Sequence, residues 1–252
     1  MRLINIGCSF SYGNCIAKHE EFAEEHISPG TLIAQHLNCE EVNIASPGLS
    51  LDGLLRRLYT FEFEEKDVFL IGLPPNLRVQ YVCKSPRNQY KIRGDLTASE
   101  YRNNAFNRGP KIAEDWFKTM RWDNNVNIAK LDLVDTTAYW SYLNILLIQQ
   151  AMKTVMNDKL PVGRVLMKKR RYWMYNSVHG HMQQDTDKVE LQALRKQIDM
   201  RNYYMPEVGL ADLIDNQSKY TVARDDTHPN HVFYQKWAND FIAWMETCDQ
   251  DY

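Results

Sequence analysis

The chain has 252 residues and a formal net charge of −2, and its apolar and charged fractions, 44% and 25%, are those of an ordinary globular protein. We expect residues 1–252 to fold as a single α/β domain with a substantial core, because one such domain often reaches this length. The near-neutral charge excludes a global attraction to nucleic acid or to anionic membranes.

The first residues of the chain turn at once into glycine and polar side chains, without the apolar core of a signal peptide. No apolar run approaches the roughly 20 residues that cross a bilayer. We therefore expect a cytoplasmic protein with no membrane partner. The cysteines number five and include no closely spaced pair, which favours reduced thiols over a disulfide framework or a zinc site.

The first third of the chain alternates between strand and helix patterns. Short apolar runs closed by glycine or proline predict strands at Arg2–Ile6, Glu41–Ala45 and Val68–Leu73. After a turn at Ser28–Gly30, helical spacing predicts helices at Thr31–Leu37 and Leu49–Phe61. This alternation favours a three-layer, flavodoxin-like α/β fold with a parallel sheet and helices on both faces.

The middle of the chain, 82–132, has poor periodicity and is rich in Asn, Arg and Tyr. We interpret it as a long insertion made of turns and a short helix near Ala113–Met120. A structureless stretch of this length is unusual in a compact domain. It therefore predicts a lid or a contact surface for a protein partner, for which aromatic side chains are candidates: Tyr81, Tyr90, Tyr101, Trp116 and Trp122.

Regular patterns return after the insertion. Apolar residues on most sides predict a buried helix at Val134–Met156, and Gly163–Met167 is the candidate for a fourth strand. The polar stretch Met174–Asp199 carries no clear pattern, and Glu207–Ile214 fits a short helix or irregular chain. An apolar stripe at helical spacing predicts a final helix at His231–Thr247.

Three short loops follow the predicted strands, and each contains glycine. Ligands of open parallel sheets bind beyond the carboxyl ends of the strands, so these loops are expected to lie side by side at one edge. The first loop offers Ser9 as a nucleophile. The other two offer donors for an oxyanion, namely the backbone amide of Gly48 and the side chain of Asn76.

The general base that Ser9 requires lies far downstream, directly before the final helix. His228 would accept the Ser9 proton, and Asp225, three residues earlier, would hold the imidazole. Asp226 competes with Asp225 for that role. Each residue also has a structural explanation: Ser9 could cap a helix, Gly48 could serve a turn, and the polar residues around Pro229 could start the final helix.

Together these motifs resemble the SGNH hydrolase superfamily over roughly 1–80 and 205–247. Gly7–Cys8–Ser9 corresponds to the family's nucleophile motif, with Cys8 where aspartate is usual, and Asp225–Pro229 is similar to its terminal motif. Asn43–Ser50 resembles the glycine region. Asn76 lies two residues beyond the position of the family's asparagine. Similar variants of the nucleophile motif occur in proteins of tailed phages and bacteria.

The resemblance implies a serine esterase or carbohydrate O-deacetylase with Ser9, Asp225 and His228 as a triad. The oxyanion would bind to Ser9, Gly48 and Asn76. The substrate would be a small acyl ester or an acetylated glycan, with no metal and no cofactor. The alternative is a structural or binding protein with a weak or inactive site, such as a phage virion component, since fold alone does not fix function.

Three weaker patterns remain. Cys8 could itself be a nucleophile, although a small buried thiol beneath Ser9 is the simpler interpretation. A basic and aromatic cluster could bind phosphate or nucleic acid, although solvated charges at a strand end explain it as well: Arg164, Lys168, Lys169, Arg170, Arg171, Tyr172, Trp173 and Tyr175. His179 and His181 with Asp185 and Asp187 have no diagnostic metal spacing.

Overall fold

A computed structural model describes residues 1–13, 27–75, 78–84, 90–97, 133–158, 172–182, 188–215, 217–223 and 226–250. Its strands are β1 (Arg2–Ile6), β2 (Glu40–Asn43), β3 (Val68–Leu73), β4 (Arg78–Lys84), β5 (Tyr90–Thr97), β6 (Tyr172–Asn176), β7 (Tyr203–Gly209), β8 (Thr221–Ala223) and β9 (Asp226–Pro229). Its helices are α1 (Ser9–Tyr12), α2 (Pro29–His36), α3 (Leu51–Thr60), α4 (Leu133–Asp158), α5 (Val189–Arg195), α6 (Gln217–Tyr220) and α7 (His231–Gln250).

The central sheet has five strands in the order β2-β1-β3-β6-β7, and every neighbouring pair is parallel. Leu3 of β1 aligns with Glu41 of β2 on one side and with Val68 of β3 on the other. The chain therefore adds β2 on one side of β1, and β3, β6 and β7 on the other. Ligands of open α/β sheets bind at such a reversal, beyond the carboxyl ends of the strands.

The two inner strands, β1 and β3, follow directly from their sequences. Leu3, Ile4 and Ile6 of β1 are fully buried. Because successive side chains of a strand point to opposite faces, both faces of β1 are covered. In β3 the apolar run from Phe69 to Leu73 is buried throughout. Strands covered on both faces need continuous apolar runs rather than alternation, and both predicted strands are confirmed with their bounds.

Helix α2 begins two residues before its predicted start. The Ser28 hydroxyl accepts a hydrogen bond from the amide of Thr31, and the Thr31 hydroxyl accepts one from the amide of Ser28. Pro29 occupies the first turn, where its missing N–H costs nothing. The prediction of a turn at Ser28–Gly30 was therefore wrong, because this segment is a capping box with the first residues of the helix.

The long helices bury the faces that their spacing predicts. Helix α2 packs against α7, and α3 packs against α4. Helix α4 extends slightly beyond both predicted ends, and α7 continues past its predicted end. Together they contribute large buried side chains to the core: Tyr142, Ile145, Ile148, Phe233, Tyr234, Trp237 and Phe241. Among the described helices, none combines the length and apolar character needed to cross a bilayer.

The strand beside β3 was not predicted from the sequence. It is β6, Tyr172–Asn176, and all five of its residues are buried. The candidate Gly163–Met167 lies outside the described residues. Because two arginines precede them, the aromatic residues of β6 fit a surface patch in the sequence. Aromatic side chains are also common in buried strands. The segment Glu207–Ile214 contains the end of β7 followed by turns, so its irregular alternative is the correct one.

The segment that includes the start of the predicted insertion forms an antiparallel hairpin, β4 and β5, which is separate from the central sheet. The sequence analysis missed this hairpin. Most of the insertion, including the predicted helix at Ala113–Met120, lies outside the described residues. Of the aromatic residues proposed as its contact surface, Tyr81 lies in β4 and Tyr90 in β5, whereas Tyr101, Trp116 and Trp122 lie outside the described residues.

Candidate functional site

The nucleophile candidate begins a one-turn helix directly after β1. Strand β1 ends at Ile6, and α1 covers Ser9–Tyr12. The turn is closed by the amide of Gly13, which donates to the Ser9 carbonyl, and Gly13 has a φ of 75° that favours glycine. Ser9 is thereby held at the carboxyl edge of the sheet, with 7% of its surface exposed.

The Ser9 hydroxyl lies against the base predicted for it. Its Oγ is 2.8 Å from Nε2 of His228, which is a hydrogen-bonding distance. These two residues are 219 positions apart in the sequence. A serine that merely caps α1 would have no need of this contact. The structure therefore brings together the two residues of the predicted dyad.

His228 is held by the strand and helix that surround it. Strand β9 pairs antiparallel with β8, and Pro229 aligns with Thr221. The next residue, Asn230, accepts a hydrogen bond from the amide of Phe233 at the start of α7. Its side chain also donates to the carbonyls of Lys219 and Thr221. Asn230, rather than Pro229, therefore fixes the beginning of α7.

The loop that carries Gly48 is bonded to the nucleophile loop. The amide of Ser46 donates to the carbonyl of Gly7 at 2.9 Å, and the amide of Leu49 closes a turn on Ser46. Gly48 has a φ of 77°, a conformation that glycine adopts without strain. The turn role of Gly48 is thus accounted for, and the hydrogen bond to Gly7 places its loop beside α1.

A buried network of hydroxyls lies under α1. Tyr175 of β6 donates to the Ser11 Oγ at 2.8 Å, and Ser177 lies 3.2 Å from the same oxygen. A Cβ added to Gly7 or to Gly72 would lie 2.1 Å from that oxygen, so both positions require glycine. Burial raises the pKa of Tyr175 well above its ordinary value, so its hydroxyl stays protonated.

A buried histidine joins the loops after β3 and β6 to helix α4. His181 is 3% exposed, and its Nε2 lies 2.8 Å from the carbonyl of Pro74 while its Nδ1 lies 3.3 Å from the Ser141 Oγ. A carbonyl only accepts, so Nε2 carries the proton and Nδ1 accepts from Ser141. Burial lowers the pKa of His181 to about 4, so the ring is neutral near pH 7.

A second histidine of the same loop points outward. His179 is bonded through Nδ1 to Asp212 at 2.6 Å, and Asp212 also accepts the amides of Gly180 and Gly209. Desolvation is the largest influence on Asp212 and acts to raise its pKa, but these hydrogen bonds together lower it. The two histidines thus have separate partners. Among the described residues, no three His, Cys, Asp or Glu side chains are grouped as metal ligands.

Several predicted site residues lie outside the described part of the chain: Asp225, Asn76, Asp185 and Asp187. Cys8 is described and fully buried, as expected for a small thiol beneath Ser9. Tyr172, Trp173 and Tyr175 are all core residues of β6. They are therefore unavailable to stack on nucleic-acid bases. The basic residues of the predicted basic and aromatic cluster lie outside the described ranges.

The buried side chains around α1 and the partner of His179 were not predicted from the sequence. The repeated serines of the first loop gave a local indication of Ser11, but nothing near it in the sequence indicated Tyr175 or Ser177. Asp212 was missed as the partner of His179, because the analysis considered only aspartates close to that histidine. These partners become visible only after the strand order is known.

Comparison with models of known protein families gives no match, and comparison with curated protein sequences also gives none. Inference about function therefore rests on the geometry around Ser9 and on the motif resemblance.

Proposed function

We propose that this protein is a serine hydrolase that cleaves a small acyl ester. The observation that carries the proposal is the 2.8 Å contact between the Ser9 hydroxyl and Nε2 of His228 at the carboxyl edge of the sheet. A serine hydroxyl is a weak nucleophile unless a neighbouring base takes its proton. Here the base is within hydrogen-bonding reach, and the two loops that hold the pair are built from buried hydrogen bonds.

The proposed reaction has two halves. Ser9 Oγ attacks the acyl carbon while its proton moves to Nε2 of His228; the ester C–O bond then breaks, and the alcohol leaves with that proton. Water next attacks the acyl-enzyme, giving its proton to His228, and the carboxylic acid is released as Ser9 recovers its proton. No oxidant, metal or cofactor takes part in this balance.

The other predicted roles complete this proposal. Asp225 would accept the Nδ1 proton of His228 and stabilise the imidazolium, and it is favoured over Asp226 by the spacing of the family motif. The amide of Ser9, the amide of Gly48 and the side chain of Asn76 would bind the oxyanion. The bond between Ser46 and Gly7 supports the role of Gly48, since it holds the second loop against the first.

The strand order supports the finer assignment of fold and family. An order in which β2 and β3 flank β1, with later strands added beyond β3, is that of flavodoxin-like sheets. The pairing of α2 with α7 and of α3 with α4 fits a three-layer arrangement. The nucleophile after β1 and the histidine before the last helix are positioned as in the SGNH superfamily that the motifs resemble. An acetylated glycan is the substrate class that this resemblance favours.

A second candidate is a binding or structural protein with an inactive site, such as a virion component. The observation that favours it is Cys8, which takes the position of the family's aspartate and is fully buried. A buried thiol gives the nucleophile loop none of the negative charge of a carboxylate. This candidate predicts a correctly folded dyad without ester turnover.

A fluorophosphonate probe tests the proposal without a known substrate. The probe should react with the full-length protein at Ser9, located by mass spectrometry, as the Ser9 oxygen displaces fluoride from phosphorus. Ser9→Ala should abolish this labelling. His228→Ala should slow it by about 10²–10⁴-fold, the usual contribution of a positioned base.

The matched control is His36→Ala, which removes a partly exposed histidine at the end of α2 that pairs with Glu246 of α7. Its labelling should equal that of the wild type. A folded wild-type protein that is not labelled at Ser9 would refute the hydrolase proposal and favour the binding protein. Equal labelling of His228→Ala and wild type would refute the role of His228.

A further inference from the structure

The residue after the nucleophile contacts the base through its ring. The ring centroids of Phe10 and His228 are 4.6 Å apart, and the two planes are tilted by 36°. Phe10 is 3% exposed and belongs to the same helical turn as Ser9. The imidazole of His228 is therefore contacted twice from α1, at Nε2 by the Ser9 hydroxyl and through its ring by Phe10.

Phe10 is fixed by the helix that follows the base. Tyr234 of α7 donates its hydroxyl to the carbonyl of Phe10 at 2.8 Å, and Tyr234 is 1% exposed. The amide of Tyr234 donates to the carbonyl of Asn230, two residues after His228. One short stretch of chain therefore carries the base and also holds the aromatic ring against it.

We propose that Phe10 is a positioning residue that holds His228 against Ser9 and stabilises the imidazolium formed when Ser9 loses its proton; this inference rests on the proposed hydrolase function. The π face of an aromatic ring carries negative electrostatic potential and attracts a cation within about 6 Å of its centroid. Nothing is gained from this attraction while His228 is neutral. The interaction therefore favours the transition state over the ground state, which is the condition for accelerating a reaction.

Simple packing is the competing explanation, and the two differ in their dependence on ring electronics. Packing depends on the size and shape of Phe10, whereas the electrostatic attraction depends on electron density in the ring. Successive fluorine atoms withdraw that density while changing ring size only slightly. The rate of the reaction should therefore decrease with each fluorine if Phe10 stabilises the imidazolium, and should stay constant if it only fills space.

The experiment replaces Phe10 in the full chain by 4-fluoro-, 3,5-difluoro- and 3,4,5-trifluorophenylalanine, and measures the second-order rate of fluorophosphonate labelling at Ser9. We expect a progressive decrease that approaches the rate of Phe10→Leu, about 2- to 30-fold below wild type, the range of cation–π effects. The matched control is the same series at Phe241, a fully buried ring stacked on Trp237 at 4.9 Å. That series should leave the labelling rate unchanged.

Each result decides the question. A progressive decrease at position 10 without one at position 241 supports the proposal, provided that thermal melting shows the variants to be folded. Equal rates across the Phe10 series, with wild-type labelling intact, overturn the role of Phe10 but leave the hydrolase proposal standing. A wild-type protein that is not labelled at Ser9 overturns both, because His228 would then form no imidazolium for Phe10 to stabilise.

Discussion

At the amino edge of the sheet, charged side chains join the start of β1 to the segment before β3. Arg2 at the start of β1 makes two hydrogen bonds to Asp67, which precedes β3, and a further ion pair with exposed Glu64. At the carboxyl edge, the loops after β1, β3 and β6 are joined by neutral groups: the hydroxyls of Ser11, Tyr175 and Ser177 and the imidazole of His181. We therefore expect changes at the charged edge to affect stability without affecting Ser9, and changes at the neutral edge to affect the helical turn α1 that carries Ser9.

The largest expected effect comes from filling the space under α1. Gly72→Ala would place a methyl group 2.1 Å from the Ser11 Oγ and 2.7 Å from the Ser177 Oγ and the Tyr175 hydroxyl. We expect a loss of about 3 kcal/mol in the free energy of unfolding, as for severe overpacking, together with slower labelling of Ser9. The loss of stability is measured by denaturant unfolding of Gly72→Ala, of Ser11→Ala and of the double variant Ser11→Ala/Gly72→Ala. Measured against Ser11→Ala alone, the Gly72→Ala change should cost less than it does in the wild type, and equal costs in the two backgrounds would contradict a clash at Ser11.

The next effect is a pH dependence that arises at the carboxyl edge. The unfolded chain protonates His181 near its ordinary pKa of 6.5, whereas burial lowers the pKa in the folded protein to about 4. The unfolded state therefore binds more protons between these values, and the free energy of unfolding falls as pH decreases through this window. The total decrease in the free energy of unfolding that His181 causes across this window is about 3 kcal/mol.

This loss is measured as the difference between wild type and His181→Gln in denaturant unfolding from pH 7 to pH 4. The glutamine amide can donate to Pro74 but does not titrate. The stability advantage of wild type over His181→Gln should shrink steadily as pH falls. A constant difference across the window would mean that His181 titrates alike in both states.

The amino edge should respond in stability alone. Asp67→Asn removes a buried carboxylate that accepts from Arg2 and from the amide of Glu64. We expect a loss of about 1.5–3 kcal/mol, the range for hydrogen bonds to charged groups, with fluorophosphonate labelling of Ser9 unchanged. Glu64→Gln is the control, because Glu64 is 67% exposed and exposed ion pairs contribute little. Slower labelling in Asp67→Asn would show that the two edges are coupled.

The smallest effect comes from one hydroxyl of the buried network. Tyr175→Phe removes the donor to Ser11 while leaving Ser11 within 3.2 Å of Ser177. The expected loss is about 1 kcal/mol, the usual net contribution of one hydrogen bond, measured by thermal melting. Adding Ser11→Ala to Tyr175→Phe should cost less than the sum of the two single changes, because both remove the same bond. Strict additivity would contradict the bond.

The sequence alone was sufficient for the inner strands and for the proximity of Ser9 to His228, and the reasons are physical. Short, mainly apolar runs closed by glycine or proline, as in β1 and β3, are typical of buried strands. Ser9 and His228 lie in short motifs whose residue types have a shared chemistry. The support of the dyad was not predictable in the same way. Ser11 and Tyr175 are 164 positions apart, and nothing in either neighbourhood specifies the other.

Errors at β6 and α2 came from local ambiguity. The aromatic residues of β6 follow two arginines, and a charged flank of this kind is equally common beside a surface patch and beside a buried strand. Ser28 and Pro29 fit a turn as well as a helix start, and the side chain of Thr31 decides between them by closing the capping box. In both places the tertiary partner, rather than the local sequence, determines the structure.

The separation of Ser9 from His228 has a consequence for the protein during its synthesis. The two residues are 219 positions apart, so a ribosome that adds 5–20 residues per second needs roughly 10–45 s to travel from one to the other. During that interval the nascent chain carries the serine without its histidine. If Ser9 acts as the proposed nucleophile, its hydroxyl stays an ordinary alcohol until β9 and α7 have emerged, and a truncated translation product would carry no activated serine.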